Sequence, residues 1–300
     1  MKFLIVIPAH NEARYLAYSL QSLCRQTYAD FEVVVVNDGS TDATGEIAEA
    51  FGRKDLRFKV IHLEESAHSP GGKVVKTFNR GLESRGTDGV EVVCKFDADV
   101  VFPENYLEVL AEVYRSDAKI GMVSGLVFVS EDQARLETEG LKDELLDFST
   151  RKGWRFENLS SKKHVRGPVK SYRRACFKAM GGLRGVLGWD NIDVMLAEMH
   201  GWSTVTVAGL WVKHLRPTAY KYKSQRAQKL GQYFYNIGLD APLAMIASAK
   251  AAYKNRSVSE FFVSMKAFWA QKEPRVLSAS EIRYIRRLRW RRMRDTLFGG

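Results

Sequence analysis

The sequence predicts an α/β protein: a Rossmann-like, mostly parallel central sheet flanked by helices, followed by a basic helical C-terminal extension. Three observations predict it. Phe3 to Ile7 and Val33 to Val36 are continuous branched apolar runs of strand length, the pattern of strands buried on both faces. Between them Leu16, Leu20, Leu23 and Cys24 recur at helical spacing, so a crossover helix joins two strands that must run parallel. The same alternation repeats to about residue 130, as a doubly wound sheet requires.

In chain order, the first strand closes at Pro8 and a helix is expected from about Asn11 to Gln26. After the second strand, Thr41 or Asp42 can cap a helix running to about Phe51. A strand over Phe58 to Leu63, a helix over Val74 to Glu83 and a strand over Val90 to Phe96 follow. Pro103 suits a helix start, and Leu107, Leu110, Ala111 and Tyr114 give that helix one apolar face. Gly121 to Val129 reads as the next strand, after which a polar stretch from Glu131 to Lys163 breaks the alternation. Beyond it lie glycine-rich turns, a helix over Asn191 to His200 and a strand over Ser203 to Val207. After Pro217 the chain turns basic, aromatic and helical, which divides it into an α/β domain over 1–215 and an extension over 216–300.

Composition narrows the function classes. Three hundred residues, 45% of them hydrophobic, suffice to bury a large core. Cys24, Cys94 and Cys176 are far apart, which argues against a disulfide framework and a thiolate zinc site. No run of about eighteen apolar residues occurs, so a cytoplasmic, non-spanning protein is expected. The formal charge of +11 is concentrated late, where seven arginines from Arg283 to Arg294 interleave with Ile285, Leu288 and Trp290 as in a basic amphipathic helix. Such a segment suits an anionic membrane surface through 275–300. A non-catalytic module binding nucleic acid or membrane is a rival reading, but it leaves the acids described next unexplained, so no nucleic acid is expected.

Ligands of open parallel sheets bind at the carboxyl ends of the strands, and three polar clusters fall there. They are Pro8-Ala9-His10-Asn11-Glu12, Asn37-Asp38-Gly39-Ser40 and Asp97-Ala98-Asp99. Asp97 and Asp99 suit a hard divalent cation, Mg²⁺ or Mn²⁺, whose open positions a diphosphate fills. Asp38 suits a uracil imide N–H or a ribose hydroxyl, and equally an Asp-Gly turn. Asn11 and Glu12 also suit a helix start. The Gly71-Gly72-Lys73 turn lacks Walker spacing, no Gly-x-Gly-x-x-Gly follows the first strand, and no Gly-x-Ser-x-Gly elbow is present.

Together, Ile-Pro-Ala-His-Asn-Glu, Val-Asn-Asp-Gly-Ser-Thr-Asp and Phe-Asp-Ala-Asp-Val resemble the family 2 glycosyltransferases of GT-A fold over about residues 1 to 130. The resemblance implies an inverting transfer of sugar from a nucleotide-diphosphate donor, a UDP-sugar at first guess, to a glycan or lipid-linked acceptor of the cell envelope. It implies that residues 1–215 form the nucleotide-sugar-binding and catalytic domain. Pro8, Ala9, Asn11, Glu12, Asp38, Gly72, Lys73, Asp97 and Ala98 would meet the nucleotide, while Asp97, Asp99 and His214 would hold the cation. Gly188-Trp189-Asp190-Asn191-Ile192-Asp193 resembles the family's Trp-Glu-Asp-x-Asp stretch, with Asn191 in a position often acidic; the base is therefore expected at Asp190, with Asp193 the alternative. Lys213 and Arg216 are candidates for phosphate contact. A polyprenyl-phosphate sugar transferase shares the same strand-end motifs and is the alternative within the enzyme class.

Overall fold

The computed structural model describes residues 1–64, 72–138, 143–159, 161–217 and 225–298. The first half alternates as expected: β1 (Phe3–Ala9), α1 (Leu16–Cys24), β2 (Phe31–Asp38), α2 (Thr44–Lys54), β3 (Phe58–Leu63), α3 (Gly72–Arg85) and β4 (Val92–Phe96). Next come β5 (Val100–Val101), α4 (Tyr106–Ser116), β6 (Ile120–Ser130), α5 (Gln133–Thr138), a 3-10 turn at Asp143–Leu146 and β7 (Trp154–Phe156). The sheet is completed by β8 (Val169–Arg173), α6 (Arg174–Ala179), α7 (Trp189–Met199) and β9 (Ser203–His214). Four helices follow: α8 (Arg226–Asn236), α9 (Ala241–Lys254), α10 (Val258–Trp269) and α11 (Ala279–Phe298).

The strands form one sheet in the order β3-β2-β1-β4-β8-β6-β9-β5, with β7 added to β6. β1 to β4, β6 and β9 point one way, whereas β5, β7 and β8 run against their neighbours. Alternate side chains of each inner strand go to opposite faces. Leu4, Val6, Val34 and Val36 enter a core beneath α3, α7 and the C-terminal helices. Phe3, Ile5, Ile7, Val33 and Val35 enter the core beneath α1, α2 and α4. Both faces are thus covered, which is why these strands lack an apolar–polar alternation.

Several expected boundaries move. α1 begins at Leu16, not Asn11, because Asn11 to Ala13 are drawn into bonds with the loop after β2. α4 begins at Tyr106, since the Pro103 carbonyl accepts Gln26 Nε2 at 2.8 Å and lies ahead of the helix. β4 starts at Val92 and α7 at Trp189, each two residues from the expected start. β9 does not end at Val207 but runs to His214, passing a register shift opposite Gly125 and Leu126. Gly71 of the Gly71-Gly72-Lys73 turn lies outside the described residues.

The C-terminal helices pack back onto the sheet's core. A Cβ on Gly231 of α8 would sit 2.0 Å from the Ser264 carbonyl oxygen of α10, so these helices cross at backbone contact. Ile285 and Leu288 of α11 are buried in the core that holds Val6 and Val34. Arg291 and Arg292 pair with Glu198 of α7 at 3.2 and 2.6 Å. Among the described residues, no helix is long and apolar enough to cross a membrane.

Candidate active site

β1, β2 and β4 open on the same edge of the sheet: Ala9, the last residue of β1, pairs with Asn37, and β4 stops one residue beyond the Val6–Lys95 pair. The loops leaving β1 and β2 are then stitched together. Asn11 takes a left-handed φ of 54°, donates its backbone N–H to Ser40 Oγ at 3.0 Å and accepts the Thr41 N–H at 2.9 Å. The Glu12 N–H donates to Thr44 Oγ1 at 2.7 Å, while its carbonyl accepts the Leu16 N–H at 2.9 Å and leads into α1. Asp38 is buried at the end of β2, where its Oδ2 accepts Thr77 Oγ1 at 2.9 Å and lies 3.5 Å from Lys73 Nζ. Both partners come from the first turns of α3, which opens at the buried Gly72.

Asp97 and Asp99 follow β4 directly. Asp97 donates its N–H to the Pro168 carbonyl at 2.9 Å, and its carboxylate pairs with Lys95. β5 pairs Val100 with His214, so the imidazole of the last strand arrives beside Asp99 although more than a hundred residues separate them. His214 Nε2 lies 3.4 Å from Asp99 Oδ1, and its Nδ1 lies 3.5 Å from Glu157 Oε2. Arg216 bridges two acids, reaching Asp99 Oδ2 at 3.1 Å and pairing with Glu12.

Titration follows from this crowding. Burial alone would lower the His214 pKa, but the Asp99 and Glu157 carboxylates outweigh it and hold the value near about 10. Glu12 is lifted to about 7 by burial and by the Asp99 charge, against the pull of Arg216. For Asp99, burial pushes upward, yet His214 and Arg216 win and keep its carboxyl below the ordinary range.

One ligand atom each from Asp97, Asp99 and His214 lies within 4.8 Å of the others. Two carboxylates and an imidazole suit Mn²⁺ well and Mg²⁺ through the oxygens. Glu12 Oε2, buried next to this cluster, has no hydrogen-bond partner among the described residues. The donor set and this unsatisfied oxygen fit a cation.

Across the Arg166–Pro168 segment stands α7. Its Gly188 N-cap has φ 96° and a Cβ there would meet the Tyr233 ring at 2.5 Å, so the helix start is confined to glycine. Asp190, in the first turn, is partly exposed with its carboxylate against Gly167. Asp193 is 1% exposed, and its oxygens take Lys170 Nζ at 2.7 Å and Tyr172 Oη at 2.7 Å. Burial raises its pKa while Lys170 and Tyr172 oppose the rise. The structure therefore separates the two expected bases: Asp190 is partly exposed beside Gly167, whereas Asp193 is sealed in an internal ion pair.

Lys95 and Lys170 face each other across β4 and β8, and both ammonium groups lie over Trp189, at 5.2 and 5.4 Å. They tie Asp97 to the base of α7, a connection that the motifs alone did not suggest. A lysine inside an otherwise apolar strand was the available signal. Glu157, ion-paired with Arg166 at 2.7 Å, had no comparable signal. Lys213 is not placed for phosphate contact, because its buried ammonium donates to the Leu145 carbonyl at 3.1 Å and lies 4.6 Å from the Phe148 ring. That burial lowers its pKa to about 8.

The model of the family described as Glycosyl transferase family 2 matches residues 4–180. Glycosyltransferase GlyG of Streptococcus pneumoniae is 32% identical over 117 residues, covering 39% of this chain and 36% of GlyG. The poly(ribitol-phosphate) beta-N-acetylglucosaminyltransferase TarS of Staphylococcus aureus is 42% identical over 73 residues, covering 24% of this chain and 13% of TarS. The chain thus spans well under half the length of these curated relatives. Among solved structures, S. aureus TarS 1-349 with UDP-GlcNAc superposes with a TM-score of 0.58 at 20% identity, over 89% of this chain and 79% of that one. Mannosyltransferase PcManGT of Pyrobaculum calidifontis, with GDP-Man and Mn²⁺, gives 0.57 at 19% identity, over 91% and 76%. Both superpositions are similarities of fold. With more than half of its length inside the family match, the chain belongs to glycosyl transferase family 2, and it shares the GT-A fold of these neighbours.

Proposed function

We propose that this glycosyltransferase moves a sugar, with inversion, from a nucleotide-diphosphate donor to a hydroxyl of a glycan or lipid-linked acceptor in cell-envelope polysaccharide synthesis. One observation carries the reading: Asp38 and the Asp97–Asp99–His214 cluster lie at the carboxyl ends of β2, β4 and β9, along one edge of one sheet. Asp38, held by Thr77 and Lys73, accepts from the nucleoside, with Pro8, Ala9, Asn11 and Glu12 forming the pocket rim. Gly72, Lys73 and Ala98 border the donor, and a UDP-sugar is the first donor to try. Bound at Asp97, Asp99 and His214, Mg²⁺ or Mn²⁺ supplies electrostatic stabilisation for the departing diphosphate.

Asp190 takes the proton of the acceptor hydroxyl as its oxygen bonds to the anomeric carbon; the bond from that carbon to the diphosphate oxygen breaks on the opposite side, which inverts the centre. The GDP-Man and Mn²⁺ of PcManGT and the UDP-GlcNAc of TarS support a nucleotide-sugar donor, and the TarS name supports a cell-wall acceptor. Residues 1–215 serve as the catalytic domain and 216–300 as the extension. The outward arginines of α11, Arg283, Arg287 and Arg294, support contact of 275–300 with an anionic membrane surface.

The test is a thermal-shift series with UDP, GDP and dTDP, with and without Mn²⁺. The expected result is metal-linked stabilisation by one nucleotide, lost in Asp99→Ala. No such stabilisation by any of the three overturns the reading. Product analysis then separates a glycan acceptor from polyprenyl phosphate alone.

A further inference from the structure

The C-terminal helices carry an outward face that neither the core nor the active site uses. α9 and α10 pack against each other and leave Tyr253 88% exposed, Val258 74%, Trp269 66% and Phe262 65%. Met245 and Val263 add further exposed apolar surface. On α10, Val258, Phe262, Lys266 and Trp269 are spaced four, four and three apart, one continuous stripe of the helix. Large side chains gathered this way on water-facing helices mark a contact surface rather than scattered exposure.

Charge identifies the partner. Over α9 and α10, from Ala241 to Trp269, every exposed charged side chain is basic: Lys250, Lys254, Arg256 and Lys266; beyond them the exposed Lys272 is followed by the exposed Glu273. Glu260, the one acid of that stretch, is partly buried and accepts Asn255 Nδ2 at 2.6 Å. Lysine is depleted in protein–protein contacts, whereas lysines around tryptophan, tyrosine and phenylalanine characterise helices lying in a membrane interface. α11 differs in kind, because its apolar side, Ile285 and Leu288, is already used in the core.

We propose that the outward face of the α9–α10 pair docks on an anionic bilayer surface, with Phe262 and Trp269 entering the boundary between headgroups and acyl chains. No described helix can span, so the contact is interfacial. The claim is independent of the transfer chemistry and is read by lipid binding alone.

The experiment is flotation of the full chain with phosphatidylcholine vesicles, with and without phosphatidylglycerol. Variants are Phe262→Ser with Trp269→Ser, Lys250→Glu with Lys266→Glu, and Arg283→Glu with Arg287→Glu. The wild type floats with the anionic vesicles, and the Phe262/Trp269 pair cuts recovery by about tenfold or more with an unchanged melting temperature. The Lys250/Lys266 pair weakens recovery in proportion to salt sensitivity. Brominated lipid quenches wild-type fluorescence and spares the Trp269→Ser component. Wild type that stays with the unbound fraction overturns the proposal, as does a Phe262/Trp269 variant that floats like wild type. A wild-type dimer in sedimentation that becomes monomeric in that variant also overturns it and assigns the face to a second copy. Loss confined to the Arg283/Arg287 pair would place lipid contact on α11 instead.

Discussion

Asp190 and Asp193 stand three residues apart on one helix, yet Asp190 is partly exposed while Asp193 is sealed against Lys170 and Tyr172. Asp190→Asn is expected to lower kcat by about 10² to 10⁴ while leaving nucleotide stabilisation intact, because a proton acceptor is lost and no folding contact is. Asp193→Asn strands Lys170 and is expected to cost on the order of 3–5 kcal/mol of stability, read as a fall in denaturation midpoint. A variant pair with these effects exchanged would reassign the base. The two acids were not separable in the sequence, since both fall in one family-like stretch. Lys170, which distinguishes them, lies on a strand twenty residues earlier, and only the β4–β8 register brings it beneath α7. Asp38, Asp97 and Asp99, by contrast, were legible because each directly follows a run that had to be a buried strand.

At the scale of elements, local pattern sufficed wherever an apolar run was long, and failed where tertiary bonds outbid the helix. Asn11 to Ala13 are the clearest case, their donors being claimed by Ser40, Thr44 and Asp42 across the sheet edge. β5 has two residues and β7 three, too short for any periodicity to register. β2 also supplies a pH prediction. Glu32 pairs with Lys2 Nζ at 2.7 Å and with Arg85, joining β2 to β1 and α3. The Arg85 hydrogen bond is the largest influence and brings the Glu32 pKa down to about 2 from 4.5. A carboxyl depressed on folding stabilises above its unfolded pKa and loses that contribution as pH falls towards its folded one. Glu32→Gln is therefore expected to be less stable than wild type near neutrality, with the gap closing between about pH 4.5 and about pH 2. Chemical denaturation across that range checks it, and a gap that widens with acid would contradict it.

For the whole molecule, the doubly wound half was legible and the antiparallel insertion was not. β8 wedges between β4 and β6, and no local property of Val169–Arg173 states its direction. The assembled site also balances its own charge: Lys95 faces Asp97, while His214 and Arg216 face Asp99. EDTA is accordingly expected to leave the melting temperature of the nucleotide-free chain unchanged and to abolish only the stabilisation that nucleotide confers. A chain that unfolds on chelation would show instead that the acids depend on metal for folding.

The bridge from Arg216 to Glu12 spans 204 positions. During synthesis on the ribosome, Asp38, Asp97 and Asp99 emerge long before β9 slots between β6 and β5. The unfinished polypeptide thus holds Asp99 and Glu12 without the imidazole and arginine that offset them until the ninth strand has been translated.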